Sequence, residues 1–196
     1  MKKQNLKLDA NDIEQAVHAL QQGGVIAYPT EAVYGLGCDP KNLSAVKKIL
    51  DLKQRKKEKG LILIASNFEQ LKSYVGPLEK TIENKLLDSW QEHRDAITWL
   101  VPVDKDVSIY LKGQFETLAV RVSHHPVVKE LCDKFAGAII STSANLATQE
   151  AARTADQVKQ IFDDKIDFII DGETDINAQP SEIRDALTDK VIRTSN

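Results

Sequence analysis

The chain has little of several things, and each scarcity removes a class of answer. No apolar run approaches bilayer length, so a membrane-spanning helix drops out of the reading. The N-terminus, Met1-Lys2-Lys3-Gln4-Asn5, leads into a charged helical pattern and lacks the apolar core of a signal peptide. There are two cysteines, Cys38 and Cys132, far apart and not at a metal-type spacing. Free thiols and a cytoplasmic location are the simplest expectation. No Ser-His-Asp set and no reactive-cysteine environment can be identified, which leaves a covalent enzyme intermediate unsupported. Internal repeats, low-complexity tracts and linkers are also missing, so residues 1–196 read as one domain. A net charge of -3 argues against a protein coated in basic groups, while leaving room for a local basic surface.

What is present is the makings of an α/β protein. Hydrophobic residues at 42% and charged residues at 28% place the chain among globular rather than disordered sequences. Ile13, Ala16, Val17 and Leu20 recur at helical spacing between about Asp9 and Gln22, and Gly23-Gly24 stops that helix. Val25 to Tyr28 has the length and β-branched start of a buried strand, which Pro29 should end. A turn-rich segment follows, carrying Thr30, Glu31, Tyr34 and the Gly35-Leu36-Gly37 spacing. It reads equally as a binding loop on a rigid support and as a loop of no special purpose. The glycines lack the third glycine and following helix of a dinucleotide site. Asp39 or Asn42 can cap a second helix through Leu52, with Leu43, Val46, Ile49 and Leu50 as its apolar stripe.

That helix runs into the segment Lys53 to Gly60. Between Lys47 and Lys59 there are seven basic residues against two acidic ones, a composition that favours a solvated loop over an anion site. Leu61–Ala65 then reads as a strand, Asn67–Tyr74 and Thr81–Asp88 as short helices, and Ile97–Val101 and Thr117–Val122 as strands. Arg121 interrupts the apolar character of the last. His124-His125-Pro126 opens a helix through Phe135, and no partner stands at a metal-site spacing. Ala138-Ile139-Ile140 is a strand that empties into Ser141-Thr142-Ser143-Ala144-Asn145, where a turn and a cluster of ligand-binding hydroxyls are equally good readings. Thr154–Phe162 is helical and Asp167–Asp171 a strand.

Tyr28-Pro29-Thr30-Glu31-Ala32-Val33-Tyr34-Gly35-Leu36 resembles the signature of the YrdC-like threonylcarbamoyl-AMP synthases. Further segments follow in family order. They are Lys53-x-Arg55 ahead of a strand, Thr98 in a strand, Val120-Arg121 followed by His125-Pro126, the Ser141–Asn145 block, Pro180-Ser181 followed by Ile183, and Val191-Ile192-Arg193. The chain departs from the pattern in four places. Lys56 stands where many members have proline, and Lys59-Gly60 where some have His-Pro. Trp90-Gln91-Glu92-His93-Arg94-Asp95 replaces a Trp-Pro-Gly type turn, and Ala147-Thr148 a Ser-Gly.

The resemblance implies a twisted, open mixed sheet with flanking helices and a concave ligand cleft, ending without the extra C-terminal domain of longer relatives. It implies formation of threonylcarbamoyl-AMP and pyrophosphate from L-threonine, bicarbonate and ATP, with Mg²⁺ held mainly by the nucleotide phosphates. The product would serve N6-threonylcarbamoyladenosine modification of tRNA through downstream transfer proteins, with weak or transient tRNA contact. Carried onto this sequence, Lys53 and Arg55 fall to the triphosphate. Ser143, Asn145 and Thr98 fall to the nucleotide or reacting carbamate, Thr30, Arg121 and Ser181 to threonine, and Arg193 to the nucleotide. Glu31 is the alternative, internal partner for Arg121. A non-catalytic RNA-binding module is the rival class, and a carbamoyltransferase of related fold would need an acceptor domain.

Overall fold

Nine short strands among the described residues form one mixed sheet, and the way its faces are covered positions everything else. The computed structural model describes residues 9–91, 96–175 and 177–195. The altered turn after Trp90 therefore falls largely on residues 92–95, outside the described residues. In chain order the elements begin with α1 (Ala10–Gln21), β1 (Ile26–Pro29), β2 (Tyr34–Gly37), α2 (Leu43–Leu52) and β3 (Ile62–Ala65). After a 3₁₀ segment at Phe68–Tyr74 come α3 (Lys80–Ser89), β4 (Ile97–Pro102), the one-turn α4 (Ile109–Lys112), β5 (Thr117–Val122) and α5 (Pro126–Phe135). The last are β6 (Ile139–Ser143), α6 (Ala155–Phe162), β7 (Phe168–Ile169), β8 (Glu182–Asp185) and β9 (Val191–Arg193). The strand order is β7-β1-β2-β6-β3-β5-β4-β8-β9, with β1/β7, β3/β5 and β4/β8 parallel and the other pairs antiparallel.

Local chemistry sets the helix ends. The side chains of Asp9, Asn42 and Thr154 each accept a backbone N–H of the first turn, at α1, α2 and α6 respectively. Pro126 starts α5, where its missing donor costs nothing. Ala45, Val46, Ile49 and Leu50 form the buried stripe of α2; Leu43, expected in that stripe and three residues before Val46, is the first residue of the helix and is 45% exposed.

One expectation changes in the opening region and another at β6. Tyr34–Gly37 is not part of a loop; it is β2, paired antiparallel with β1 from Ile26–Gly37 to Pro29–Tyr34. Only 30–33 are left as the turn. The glycines belong to packing: a Cβ on Gly37 would lie 2.8 Å from the Tyr28 ring, and one on Gly35 would lie 3.3 Å from it. Tyr28 is fully buried across both. Likewise β6 does not end at Ile140 but runs on through Ser143.

Paired residues share a face, and residues two apart along a strand return to it. One face carries Ala27, Leu36, Leu63, Ile140, Val120, Trp99 and Val101, buried in the main core with Val46, Ile49 and Leu50 of α2, Leu86 of α3 and Val158 and Phe162 of α6. On the other, Ile26, Tyr28, Ile139 and Ile64 pack beneath Ile13, Val17 and Leu20 of α1 and Val127, Val128 and Leu131 of α5. That second layer covers only part of its face. Register continues the same face through Gly35, Ser143, Ser141, Ile62, Ala119, Arg121, Leu100 and Ile183. These residues line a cleft of about 520 Å³ instead of a helix.

Candidate active site

The cleft is the uncovered part of that sheet face, and its polar groups fall into three hydrogen-bonded sets. The first joins Glu31, Arg121 and Ser123. Arg121 Nη2 donates to Glu31 Oε2 at 2.7 Å, and Ser123 Oγ donates to Glu31 Oε1 at 2.7 Å. Burial works to raise the Glu31 pKa, but the Arg121 charge and the Ser123 hydroxyl outweigh it and hold the carboxyl below its ordinary value. Beside them, Thr30 closes its own turn: its N–H and its hydroxyl both donate to Val33 O, at 3.1 and 2.7 Å. With its hydrogen spent there, the Thr30 oxygen offers lone pairs to whatever enters.

The second set stacks Thr98, Ser181 and Arg193. Thr98 Oγ1 and Ser181 Oγ are 2.8 Å apart, and Arg193 Nη2 donates to Ser181 O at 2.6 Å. Thr98 is fully buried and does not reach the cleft wall, whereas Ser181 and Arg193 do. In the β4–β8 pairing Thr98 stands opposite Ile183, and its hydroxyl reaches the cleft through the bond to Ser181. Burial, and then the charge of Arg121, lower the Arg193 pKa, so two cations face one site. Such a pair favours an anionic ligand between them.

In the third set, Arg55 lines the cleft with its guanidinium aimed by carbonyls. Nε and Nη2 both donate to Gly60 O, at 3.2 and 2.9 Å, and burial lowers its pKa. Gly60 adopts φ +62° and ψ 175°, a conformation essentially restricted to glycine. It packs against Gly113, where an added Cβ would fall 2.6 Å from Gly60 N. Lys59 also lines the cleft, as do Ser143 and Asn145, whose side chains are joined by a 2.6 Å bond from Ser143 Oγ to Asn145 Oδ1. Lys53 is not brought to the cleft wall. It is 3% exposed, and its ammonium donates to Ser143 O, to Asn145 O at 2.8 Å and to Asn145 Oδ1 at 3.0 Å. The reason is helical periodicity: Val46, Ile49 and Leu50 form a buried stripe of α2, and Lys53, its C-cap, continues the same i, i+3, i+4 row.

Structure adds residues that motif reading passed over. Phe115, 47% exposed, and Ile192 put apolar surface on the cleft wall; nothing in the sequence around Phe115 marks a site, and Ile192 enters the closing segment only as the neighbour of Arg193. Ser123 lies inside the Val120–Pro126 segment and was legible only as filler. Among the described residues there is no group of three or more His, Cys, Asp or Glu able to hold a metal ion. His124 and His125 diverge, the first with Nε2 2.5 Å from Trp90 O, the second at the head of α5. Glu31 is the one carboxylate among the described lining residues, and both its oxygens are engaged. No helix among the described residues is long and apolar enough to cross a membrane.

Comparison with known proteins gives a consistent result. The Sua5/YciO/YrdC family model, described as "Telomere recombination", matches residues 18–195. A threonylcarbamoyl-AMP synthase of Photobacterium profundum is 46% identical over 185 residues, 93% of this chain and 98% of its own length. The synthase of Vibrio parahaemolyticus is also 46% identical, over 183 residues and the same shares. P. abyssi Sua5 complexed with L-threonine superposes with a TM-score of 0.80 at 31% identity, over 88% of this chain and 50% of that one. This chain thus spans half the length of that protein. E. coli YciO shares the fold, with a TM-score of 0.76 at 24% identity over 92% of this chain and 87% of its own. From the Tyr28–Leu36 hairpin to the closing strand at Arg193, the residues around the cleft and the match over 18–195 lead to one statement: this chain belongs to the Sua5/YciO/YrdC family.

Proposed function

We propose that this chain is a threonylcarbamoyl-AMP synthase, an enzyme that makes threonylcarbamoyl-AMP and pyrophosphate from L-threonine, bicarbonate and ATP. The observation that carries this reading is the composition of the uncovered sheet face. Arg55, Lys59, Arg121 and Arg193 line it together with the hydroxyls of Thr30, Ser143 and Ser181, a set suited to holding anions and aligning them. The threonylcarbamoyl-AMP synthases at 46% identity over nearly the whole chain supply the substrate class.

Two bond-forming steps are required. The amine of threonine attacks the carbon of bicarbonate or carbon dioxide and becomes a carbamate, with loss of water from bicarbonate. A carbamate oxygen then attacks the α-phosphorus of ATP, and pyrophosphate leaves, which makes the chain a nucleotidyltransferase. Neither step needs an enzyme nucleophile; alignment and charge stabilisation lower the barrier. Arg121, whose Nη2 is fixed by Glu31, presents the rest of its fork to the threonine carboxylate. The Thr30 and Ser181 hydroxyls flank the same substrate. Arg55 and Lys59 take the triphosphate, Ser143 and Asn145 orient the reacting carbamate and nucleotide, and Arg193 adds positive charge as the phosphates separate. Mg²⁺ carried on the nucleotide would offset the phosphate charge, and Glu31, the one carboxylate among the described lining residues, has both oxygens engaged by Arg121 and Ser123. The adenylate then passes to tRNA threonylcarbamoyl-transfer proteins, with tRNA contact weak or transient.

The test is incubation with L-threonine, ¹³C-bicarbonate and Mg-ATP, with detection of the labelled adenylate by mass. Formation that depends on all three substrates supports the reading. ATP turnover without label in the adenylate would reject it.

A further inference from the structure

We propose that Lys53 is a positioning residue and not a phosphate ligand: its ammonium locks the Ser143–Asn145 strand end in the shape that presents Ser143 and Asn145 to the reacting groups. This rests on the synthase reading above.

An ammonium has three N–H donors and no more. Here all three have acceptors, the carbonyls of Ser143 and Asn145 and the amide oxygen of Asn145. None is left for a phosphate unless the strand end is given up. The main chain of Lys53 is tied to the same segment, since Ala147 N donates to Lys53 O at 3.0 Å. Lys53 is also anchored to its helix by its own N–H, which donates to Ile49 O at 3.1 Å. The residue is therefore a bolt between the end of α2 and the end of β6.

The consequence for the cleft is specific. Asn145 Oδ1 accepts from both Lys53 Nζ and Ser143 Oγ, and Asn145 Nδ2 donates to Gln149 O at 2.7 Å. This fixes the amide orientation, because a flipped amide would set its NH₂ against the ammonium. It also fixes Ser143, whose hydrogen is spent on Asn145 and whose lone pairs are what remain for the ligand. Removing the ammonium takes one donor from each of three oxygens: Ser143 O keeps the Asn145 N–H and Asn145 Oδ1 keeps the Ser143 hydroxyl, but Asn145 O loses its side-chain donor and the amide loses the charge that fixes its orientation. Arg55 and Lys59, by contrast, line the cleft directly and serve the triphosphate without Lys53. Burial, with the Arg55 charge second, brings the Lys53 pKa down to about 8. The bolt thus loses a donor within a testable pH range.

The experiment compares wild type with Lys53→Met, which keeps length and removes charge, and with Lys53→Arg, which keeps a cation that does not titrate. ATP affinity is measured by calorimetry, and kcat and KM for threonine by adenylate formation, across about pH 6.5 to 9.5. Expected for Lys53→Met is an ATP Kd within about threefold of wild type and a kcat at saturating substrates at least about tenfold lower. In the wild type, kcat falls as pH passes about 8 while ATP affinity stays level. In Lys53→Arg that limb is absent and more kcat is retained than in Lys53→Met. An ATP Kd weakened tenfold or more with kcat preserved would put Lys53 on the phosphates and overturn the inference. So would a lower Tm with unchanged kcat and Kd, which would make the residue structural only. If Lys53→Met does not fold, the pH profiles of wild type and Lys53→Arg decide, and identical profiles refute the proposal. A wild type that makes no labelled adenylate refutes the synthase reading itself, a separate outcome.

Discussion

The Arg121–Glu31 pair gives the sharpest test of substrate assignment, because it supplies Arg121 with a reason to exist even without a ligand. The two groups are 2.7 Å apart, with side-chain exposures of 11% for Arg121 and 32% for Glu31. Breaking a fully buried pair costs about 3–5 kcal/mol, and an exposed one about 0–1 kcal/mol. Partial exposure of Glu31 places the loss for Arg121→Met between these, at about 1–3 kcal/mol. For a chain of this size 1 kcal/mol corresponds to roughly 2–4 °C in Tm, so a drop of about 2–12 °C is expected. Destabilisation alone therefore cannot identify the substrate role. The double variant Arg121→Met/Glu31→Gln can, because it leaves no charge unpaired. It should recover much of the lost Tm, yet still lose about ten- to a hundredfold in kcat/KM for threonine, the worth of one charge-assisted bond to a carboxylate at roughly 1.5–3 kcal/mol. ATP Kd should stay close to wild type. The pH dependence adds a sign check. Glu31 has its pKa lowered in the folded state, so its contribution is present above the ordinary value of 4.5 and is lost as pH falls through the lowered one. The stability gap between wild type and Glu31→Gln should therefore narrow on acidification. A double variant with restored Tm and wild-type threonine kinetics would refute the carboxylate role of Arg121.

Three other outcomes follow from the same geometry. Arg55→Ala should weaken ATP binding by about ten- to a hundredfold in calorimetry, from loss of a contact worth roughly 1.5–3 kcal/mol; unchanged affinity would return the basic run to solvent. Gly113→Ala should destabilise by about 1–3 kcal/mol in denaturant titration, since Gly113 has φ +69° and abuts Gly60, and it should also weaken ATP binding through the Gly60 carbonyl that aims Arg55. Thr98→Val should cost about 1 kcal/mol and raise KM for threonine more than Kd for ATP, because Thr98 bonds to Ser181; the reverse pattern would restore Thr98 to the nucleotide.

How much of this could be read from the chain depends on whether the signal was local. The cap at Asn42 and the α1 stripe of Ile13, Ala16, Val17 and Leu20 are written within one helical turn, and the structure has them where the pattern puts them; α2 buries Val46, Ile49 and Leu50 of its expected stripe and leaves Leu43 exposed. β2 was missed because Gly-Leu-Gly has poor strand propensity. It becomes a strand only once Tyr28 lies across the glycines, a contact that needs the hairpin already formed. Thr98 and Ser181 are 83 residues apart, and Arg121 and Glu31 are 90 apart, so who pairs with whom was a question of sheet register. Lys53 is different. The stripe Val46, Ile49, Leu50, Lys53 already pointed it inward, but the side chain's charge invited an anion on the outside.

The same logic explains why the cleft lies where it does. In β6 the residues facing the α1/α5 layer are Ile139, Ser141 and Ser143, two apart and therefore on one face. The first packs under the helices and the other two line the cleft. A run of apolar residues followed by hydroxyls is ambiguous if the strand is taken to stop at the change. Because the strand continues, the change from Ile to Ser marks where one covering layer ends on an unbroken sheet. β3 and β5 meet the same boundary: Ile64 packs under α5, while its neighbour Arg121 carries the charge that only an open face can use. A helix extended over Ser141 and Ser143 would bury hydroxyls and Arg121 at a cost of a few kcal/mol per unsatisfied group. The polar residues that make the site are thus also what keeps the helices from closing over it.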